Sequence, residues 1–459
     1  MAQFEEYAKN QDQEKQPIRP LDNDIVDLTK EEKSLIDSYA WDKTVMDESQ
    51  TRQMRKVIER HVKAFKINDI ELGCYRHYTH RLTTRPGSRL PRSKPYRVPP
   101  ELKKPLMDEL ESMRAKGIIE PSIAPHGCPA FAVKKKAPGK YRLVLDFRQF
   151  NKLLDVPPSS FPTADELTHK MSTTHPRYIS NFDMAEAFHQ IALDEQSRKQ
   201  VVFHTSIGSF QMNRLAMGCS ESPAILNMVL IKETADLYNV FTYCDDILIT
   251  SPTFEEHLRD VESLLQRFCD CGLKLSLQKS ALCAPTVIFL GMELSKARIA
   301  PAREYLTKLI ELKPPKTLKE LRGLIGAVCW LKRFTPRYNI IIAPILKNLK
   351  AHSGKRKQAK LQWPAECQSA LEELQQIFKA GPYLAFADFK LPTPLVITTD
   401  ASKIGTGGML SQMQPESDDP EEREKTPVED YKLRIISFTG HTFSGAEMHW
   451  PIYKKRWQP

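Results

Sequence analysis

The sequence predicts an α+β fold, and three observations carry that reading. Strand-like and helix-like segments alternate from about residue 176. Two β-rich stretches fold back on turn-forming residues as hairpins, and the amphipathic run at 255–272 is patterned to cover one face of a small antiparallel sheet. The chain has 459 residues, 41% hydrophobic and 27% charged, enough for several core-bearing domains. No run of eighteen apolar residues occurs and the first residues are polar, so neither a membrane span nor a secretory leader is expected. Nine cysteines at irregular spacing point to reduced thiols in an intracellular setting. Cys269 and Cys271 form a CxC pair, but no second Cys/His pair lies at zinc spacing. The formal charge of +10 is compatible with a polyanionic partner without establishing one.

The elements follow in order. Residues 1–75 are charged and weakly periodic; Glu31 to Val62 has room for one or two helices, and the region reads as a tether or accessory segment. The proline-rich basic stretch at 81–100 reads as an extended arm. Leu102, Leu106, Leu110 and Met113 then fall at helical spacing, with Gly117 placed to end the helix. Residues 128–151 hold two β-rich runs joined at Ala137-Pro138-Gly139-Lys140, a hairpin with a basic tip. A second hairpin turns at Ile207-Gly208, residues 222–238 read as a helix, and Leu258, Val261, Leu264, Leu265 and Phe268 line one face of the next, with Gly272 as its stop. Beyond Pro314-Pro315 the pattern is mostly helical, opened by a Thr317/Glu320 capping box. After Pro382 a sheet-like unit begins, interrupted by an acidic insert at 414–430 that reads as a solvated loop.

The chemistry concentrates in aspartates. Asp245 and Asp246 sit side by side at a tight turn between apolar strands, where their like charges repel and the hairpin gains nothing from them. An isolated Asp-Asp pair is a common polar turn. Here a third carboxylate, Asp183, ends another apolar strand, and three hard oxygen ligands suit Mg²⁺ in phosphoryl transfer.

The surrounding blocks give this cluster a context. In order along the chain stand GIIEPSIAPHGCPAFAVKKK, YRLVLDFRQFNK, FDMAEAFHQI, MGCSESPAILN, YCDDILI, KLSLQKS, FLGMEL, LKELRGLIGAVCWLKRFTP and TTDAS. This series resembles the reverse transcriptase of gypsy-type long-terminal-repeat retrotransposons, a part of the Pol polyprotein, over more than three quarters of the chain. The resemblance implies a right-hand polymerase with fingers, palm and thumb, then a connection and a partial ribonuclease H-like α/β domain. It divides the chain into an N-terminal region (1–75), fingers and palm (76–295), thumb and connection (296–385) and the ribonuclease H-like part (386–459). The implied activity is RNA-directed DNA polymerisation with dNTPs, on an RNA or DNA template with its primer. The alternative is a decayed, non-catalytic nucleic-acid-binding relic of the same element.

The resemblance also assigns residues. Asp183, Asp245 and Asp246 become the catalytic ligands of two Mg²⁺ ions, with Mn²⁺ as a substitute. Lys135 and Arg142 match the cations that hold the incoming triphosphate, and Phe188 the aromatic gate against a ribose 2′-hydroxyl. Ala187, Met217 and Gly218 match the wall of the nucleotide pocket, and Phe289, Leu290, Gly291 and Met292 the primer grip. Two departures touch that pocket: Ala216-Met217-Gly218 stands where relatives carry Pro-Phe-Gly, and Cys244 where a bulky apolar residue is usual. Trp330, Phe334 and Tyr338, interleaved with Lys332, Arg333 and Arg337, read equally as a stacking surface or as helix core.

Asp400, in TTDAS, matches the first metal ligand of ribonuclease H. Further on, Glu447 matches a non-catalytic acidic residue, and Arg456 stands where the catalytic glutamate is expected. Hydrolysis by two metals on one remaining ligand is implausible, so Asp400 reads as vestigial and ribonuclease H activity is expected to be absent. With neither a protease triad nor an integrase head, the chain reads as a piece of a polyprotein or a decayed gene. Its setting is expected to be cytoplasmic, in a virus-like particle, with a nuclear stage.

Overall fold

The structure, a computed structural model, describes residues 27–134, 141–156, 161–173, 176–296, 298–352, 361–401, 405–418 and 420–443. It divides into two compact units: residues 1–160, 182–245 and 254–280, and residues 161–181, 246–253 and 281–459. None of the described helices is long and apolar enough to cross a membrane.

In the first unit, the N-terminal region, expected as a tether or accessory segment with one or two helices, forms the helices Lys30–Asp37 and Glu48–Arg60, each opened by a reciprocal capping box (Thr29 with Glu32, Asp47 with Gln50). The second helix buries Met54, Val57 and Ile58 and packs on the Phe254–Cys271 helix, where Arg60 pairs with Glu262 and His61 meets Gln266 at 3.2 Å. Every apolar position predicted on the face of Phe254–Cys271 is buried. Gly272 ends that helix at φ +80°, and a Cβ there would lie 2.4 Å from the Cys74 carbonyl oxygen, so the close approach of chain 74 requires glycine. The helix predicted near 102–113 runs Pro100–Ala115 with Leu106, Leu110 and Met113 buried.

Both predicted hairpins form and share one five-stranded sheet, in the order Ile119–Pro121, Ser209–Met212, Val202–His204, Cys128–Lys134, Tyr141–Leu145. Cys128–Lys134 pairs antiparallel with Tyr141–Leu145, Val133 opposite Arg142. The basic tip, with Lys135, lies outside the described residues. The extended arm is pinned at both ends by backbone hydrogen bonds: Arg85 N–H to Leu153 O at 2.8 Å, Ser93 N–H to Gly127 O at 3.1 Å and Gly127 N–H to Pro91 O at 2.7 Å.

The second unit contains the four-stranded sheet Val287–Phe289, Met292–Leu294, Arg298–Pro301 and Leu384–Ala385, and the three-stranded sheet Leu395–Ala401, Gly405–Gln414 and Lys432–Thr442. Its helices include Arg303–Ile310, Leu318–Trp330, Tyr338–Ala351 and Ala365–Lys379, packed through buried leucine, isoleucine and phenylalanine. The cap at Thr317 differs from expectation: its hydroxyl accepts from Glu320 N–H at 3.2 Å, but the Glu320 carboxylate takes the Lys316 N–H at 2.7 Å, one residue earlier than a capping box requires. The acidic insert is also a correction. Its described part holds a short helix, Pro420–Lys425, and Asp418 pairs with both Arg298 and Arg434. Arg434 is 6% exposed and a buried guanidinium needs acceptors, which the insert supplies from Asp418 and the carbonyls of Pro415 and Glu416.

Candidate active site

Asp183 is the penultimate residue of the Tyr178–Met184 strand, whose alternation buries Phe182 and Met184 and leaves Asp183 half-buried between them. Asp245 lies in the turn between Val240–Tyr243 and Asp246–Ser251. Cys244 makes that turn tight by adopting φ +55°, a conformation rarely taken by a residue with a side chain. The Met184 N–H donates to the Asp245 carbonyl at 3.2 Å, which fastens the turn beside the strand end and brings these two aspartates together. Asp246 follows through the peptide bond and opens its own strand.

Electrostatics agree with this proximity. Burial raises the Asp183 carboxyl above its ordinary range; Lys279 lowers it, and the nearby charge of Asp245 adds to the rise. The Lys279 Nζ stands 3.3 Å from Asp183 Oδ2 on a side chain 68% exposed. Lys279 lies on the Leu275–Ala281 strand, and its place in the sequence does not reveal that it faces Asp183. Among the described residues no three His, Cys, Asp or Glu side chains converge as a ready metal cage. Two neighbouring hard carboxylates, one of them raised by burial and further by the other, nevertheless fit a divalent cation, which would offset a charge that Lys279 now offsets in part.

The nucleotide-pocket candidates lie in the same unit. Ala187 is buried and Phe188 half-buried in the short 3-10 turn Ala187–Gln190, immediately beyond the Asp183 strand. Gly218 and exposed Met217 sit in a loop fixed by Asn151, which donates to Gly218 O and accepts from Ser220 N–H, both at 3.0 Å. Sequence reasoning missed Asn151, although it closes the FRQFN block. Arg142 is exposed on its strand, and Lys135 is outside the described residues.

The primer-grip candidates belong to the second unit and form a two-residue hairpin. Phe289 pairs with Met292 across Leu290 (φ +52°) and Gly291 (φ +73°), the double left-handed geometry of a type I′ turn. Trp330 packs against it, 3.5 Å from where a Gly291 Cβ would stand, with Tyr305 edge-on at 5.1 Å. Phe334 and Tyr338 are buried, which decides those two as core rather than as a stacking surface.

Asp400 is exposed on the Leu395–Ala401 strand opposite Gly407, its carboxylate accepting the Ala401 N–H at 2.8 Å. It borders a cavity of about 570 Å³ in the second unit, lined also by Lys332, Tyr338 and Gly407. Among the described residues lining that cavity, Asp400 is the one carboxylate. Glu447 and Arg456 lie outside the described residues.

Comparison with known proteins now adds to this geometry. A family described as reverse transcriptase (RNA-dependent DNA polymerase) matches residues 133–294, and an RNase H-like domain found in reverse transcriptase matches residues 363–421. The chain is 29% identical over 311 residues to the retrovirus-related Pol polyprotein from transposon 297 of Drosophila melanogaster, covering 66% of this chain and 28% of that protein. It is 29% identical over 323 residues to the transposon Tf2-3 polyprotein of Schizosaccharomyces pombe, covering 69% of this chain and 23% of the relative. It thus spans about a quarter of the length of these curated relatives. Among solved structures, the foamy viral protease-reverse transcriptase with an RNA/DNA hybrid matches at TM-score 0.72 and 21% identity, over 93% of this chain and 54% of that one. The same viral protein with dsDNA matches at 0.75 and 21%, over 93% and 83%. The fold is therefore that of a reverse transcriptase with an RNase H-like domain, in the α+β class expected from sequence.

Proposed function

We propose that this chain is the RNA-directed DNA polymerase of a gypsy-type retrotransposon, extending a primer with dNTPs by two-metal phosphoryl transfer. The observation that carries the reading is the fastening of Asp245 beside Asp183 through the Met184–Asp245 hydrogen bond, within the segment matched to reverse transcriptases. Asp183, Asp245 and Asp246 would hold the metal ions. When bound, Mg²⁺ supplies Lewis-acid stabilisation of the phosphoryl oxygens and a lowered pKa for the attacking hydroxyl.

The remaining work falls to the chain's own side chains. Arg142, exposed beside the fingers hairpin, would neutralise charge on the incoming triphosphate together with Lys135. Phe188 would stand against the sugar and exclude a 2′-hydroxyl, with Ala187, Met217 and Gly218 closing the pocket around it. The hairpin Phe289–Met292 would seat the primer terminus through its backbone. Template binding draws support from the pinned arm, where Arg85, Arg89, Arg92, Lys94 and Arg97 are exposed cations with no ion-pair partner among the described residues. The foamy viral neighbours, solved with RNA/DNA hybrid and dsDNA, support the same class of ligand. Ribonuclease H activity is proposed to be absent, given the lone Asp400 and the sequence at Arg456.

The test is primer extension on primed poly(rA) with dNTPs and Mg²⁺ or Mn²⁺, beside Asp245→Asn. Extension abolished by the substitution supports a polymerase. Tight primer–template binding without extension in either metal would instead identify a non-catalytic relic.

A further inference from the structure

The turn that joins Asp183 to Phe188 contains a strained joint. Glu186 adopts φ +51°, ψ +46°, a left-handed conformation that costs a residue with a Cβ about 1–2 kcal/mol. The residues around it are fixed by other means. Gln190, fully buried, donates to Ala185 O at 2.6 Å and Lys274 O at 2.8 Å, and accepts from Lys274 N–H at 2.7 Å. Its backbone carbonyl takes the Tyr75 N–H at 2.8 Å. Glu186 is held instead by ion pairs of its carboxylate. Lys66 Nζ lies 2.7 Å and Lys116 Nζ 2.8 Å from the same oxygen, Oε1, with His189 3.8 Å from Oε2. Both lysines are largely buried, at 18% and 15% side-chain exposure, so they are not ordinary surface pairs. Lys66 comes from the segment that the sequence reads as a tether or accessory region.

We propose that Lys66 and Lys116 clamp Glu186 in its left-handed conformation and so act as positioning residues for Phe188. The inference rests on the reading of Phe188 as the sugar gate. Burial by itself would raise the Glu186 carboxyl; His189, Lys116 and Lys66 hold it far below its ordinary range, so it stays anionic and the clamp stays charged. The two lysines come from separate upstream segments, 120 and 70 residues away, and meet on one oxygen atom. A strained conformation held by surrounding structure at a turn beside a candidate catalytic strand is where backbone strain serves placement. Without the clamp the joint is free to relax, and the ring of Phe188, two residues on, moves with it.

The experiment uses the full chain and two readouts. Hydrogen exchange is measured at the amides of His189 and Ile191, which donate to Glu186 O and Phe188 O at 2.9 and 3.3 Å. In Lys66→Met/Lys116→Met, exchange at these amides should rise about five- to thirtyfold, the equivalent of the left-handed cost released. In Lys66→Arg/Lys116→Arg it should stay near wild type. In primer extension the methionine pair should raise KM for dNTPs and lower dNTP-over-rNTP discrimination by a similar factor, with a smaller effect on kcat. Glu186→Gly, which accepts the left-handed joint freely, should discriminate better than Glu186→Ala. Unchanged exchange at 189 and 191, or an increase spread evenly over the unit, would overturn the clamp. Equal behaviour of the glycine and alanine variants would do the same. If the wild type extends no primer, the polymerase reading fails, and the exchange measurement still decides the clamp.

Discussion

If the proposed polymerase reading holds, replacing Lys279 with Gln should lower the metal requirement for primer extension, not raise it. In the structure its ammonium stands 3.3 Å from Asp183 Oδ2, where a divalent cation is proposed to bind. A metal ion entering that site must break the ion pair and then share the neighbourhood with a residual positive charge. Two unit charges at that separation interact by about 1 kcal/mol in water. The lysine is 68% exposed, so solvent screening sets the effective value in the surface range of about 0.2–1 kcal/mol. Removing it should therefore lower the Mg²⁺ concentration giving half-maximal extension by roughly 1.5- to 5-fold. Titration of extension rate against Mg²⁺, with Mn²⁺ binding followed by electron spin resonance as an activity-free check, reads this directly. A higher Mg²⁺ requirement in Lys279→Gln would refute the argument. It would mean that the lysine works with the metal or substrate rather than in place of the metal.

Further outcomes follow from other parts of the molecule. Arg89→Ala/Arg92→Ala/Lys94→Ala should reduce the magnitude of the log–log salt slope for single-stranded template binding by about 2; an unchanged slope would remove the arm from the interface. Phe188→Val should raise rNTP incorporation about tenfold or more, corresponding to at least about 1.4 kcal/mol of lost discrimination; rNTP use equal to wild type would withdraw the gate assignment. His257 is fully buried, and desolvation pushes it down to about 3. The unfolded chain takes up that proton below its ordinary pKa of about 6.5 while the folded chain does not, so stability falls with pH from there. Between pH 7 and 5 this group should remove about 2 kcal/mol, seen as denaturation midpoints whose pH slope flattens in His257→Gln. Asp400→Asn should leave any cleavage of an RNA/DNA hybrid by this chain unchanged; loss of such cleavage would show a working ribonuclease H site.

Where local pattern and geometry coincide, the amino-acid order alone was sufficient. The face of Phe254–Cys271, the stop at Gly272, both hairpins and the Pro100–Ala115 helix were legible because helical and strand periodicities are set by adjacent residues. The aspartates were legible too, since like charges at an apolar turn have few structural uses. What stayed hidden depends on residues far apart in the chain. Nothing near Lys66, Lys116 or Lys279 indicates that two of them meet on Glu186 and the third on Asp183. The acidic insert looked solvated because its composition is polar, and only folding revealed that Arg434 and Arg298 need Asp418. Trp330, Phe334 and Tyr338 could not be sorted by spacing either, because burial of an aromatic ring depends on what packs over it. Sequence determined the elements and singled out the aspartates proposed as ligands, whose signals are local. Tertiary structure decided which cation faces which carboxylate, because ion pairing acts through space and carries no mark in the order of residues.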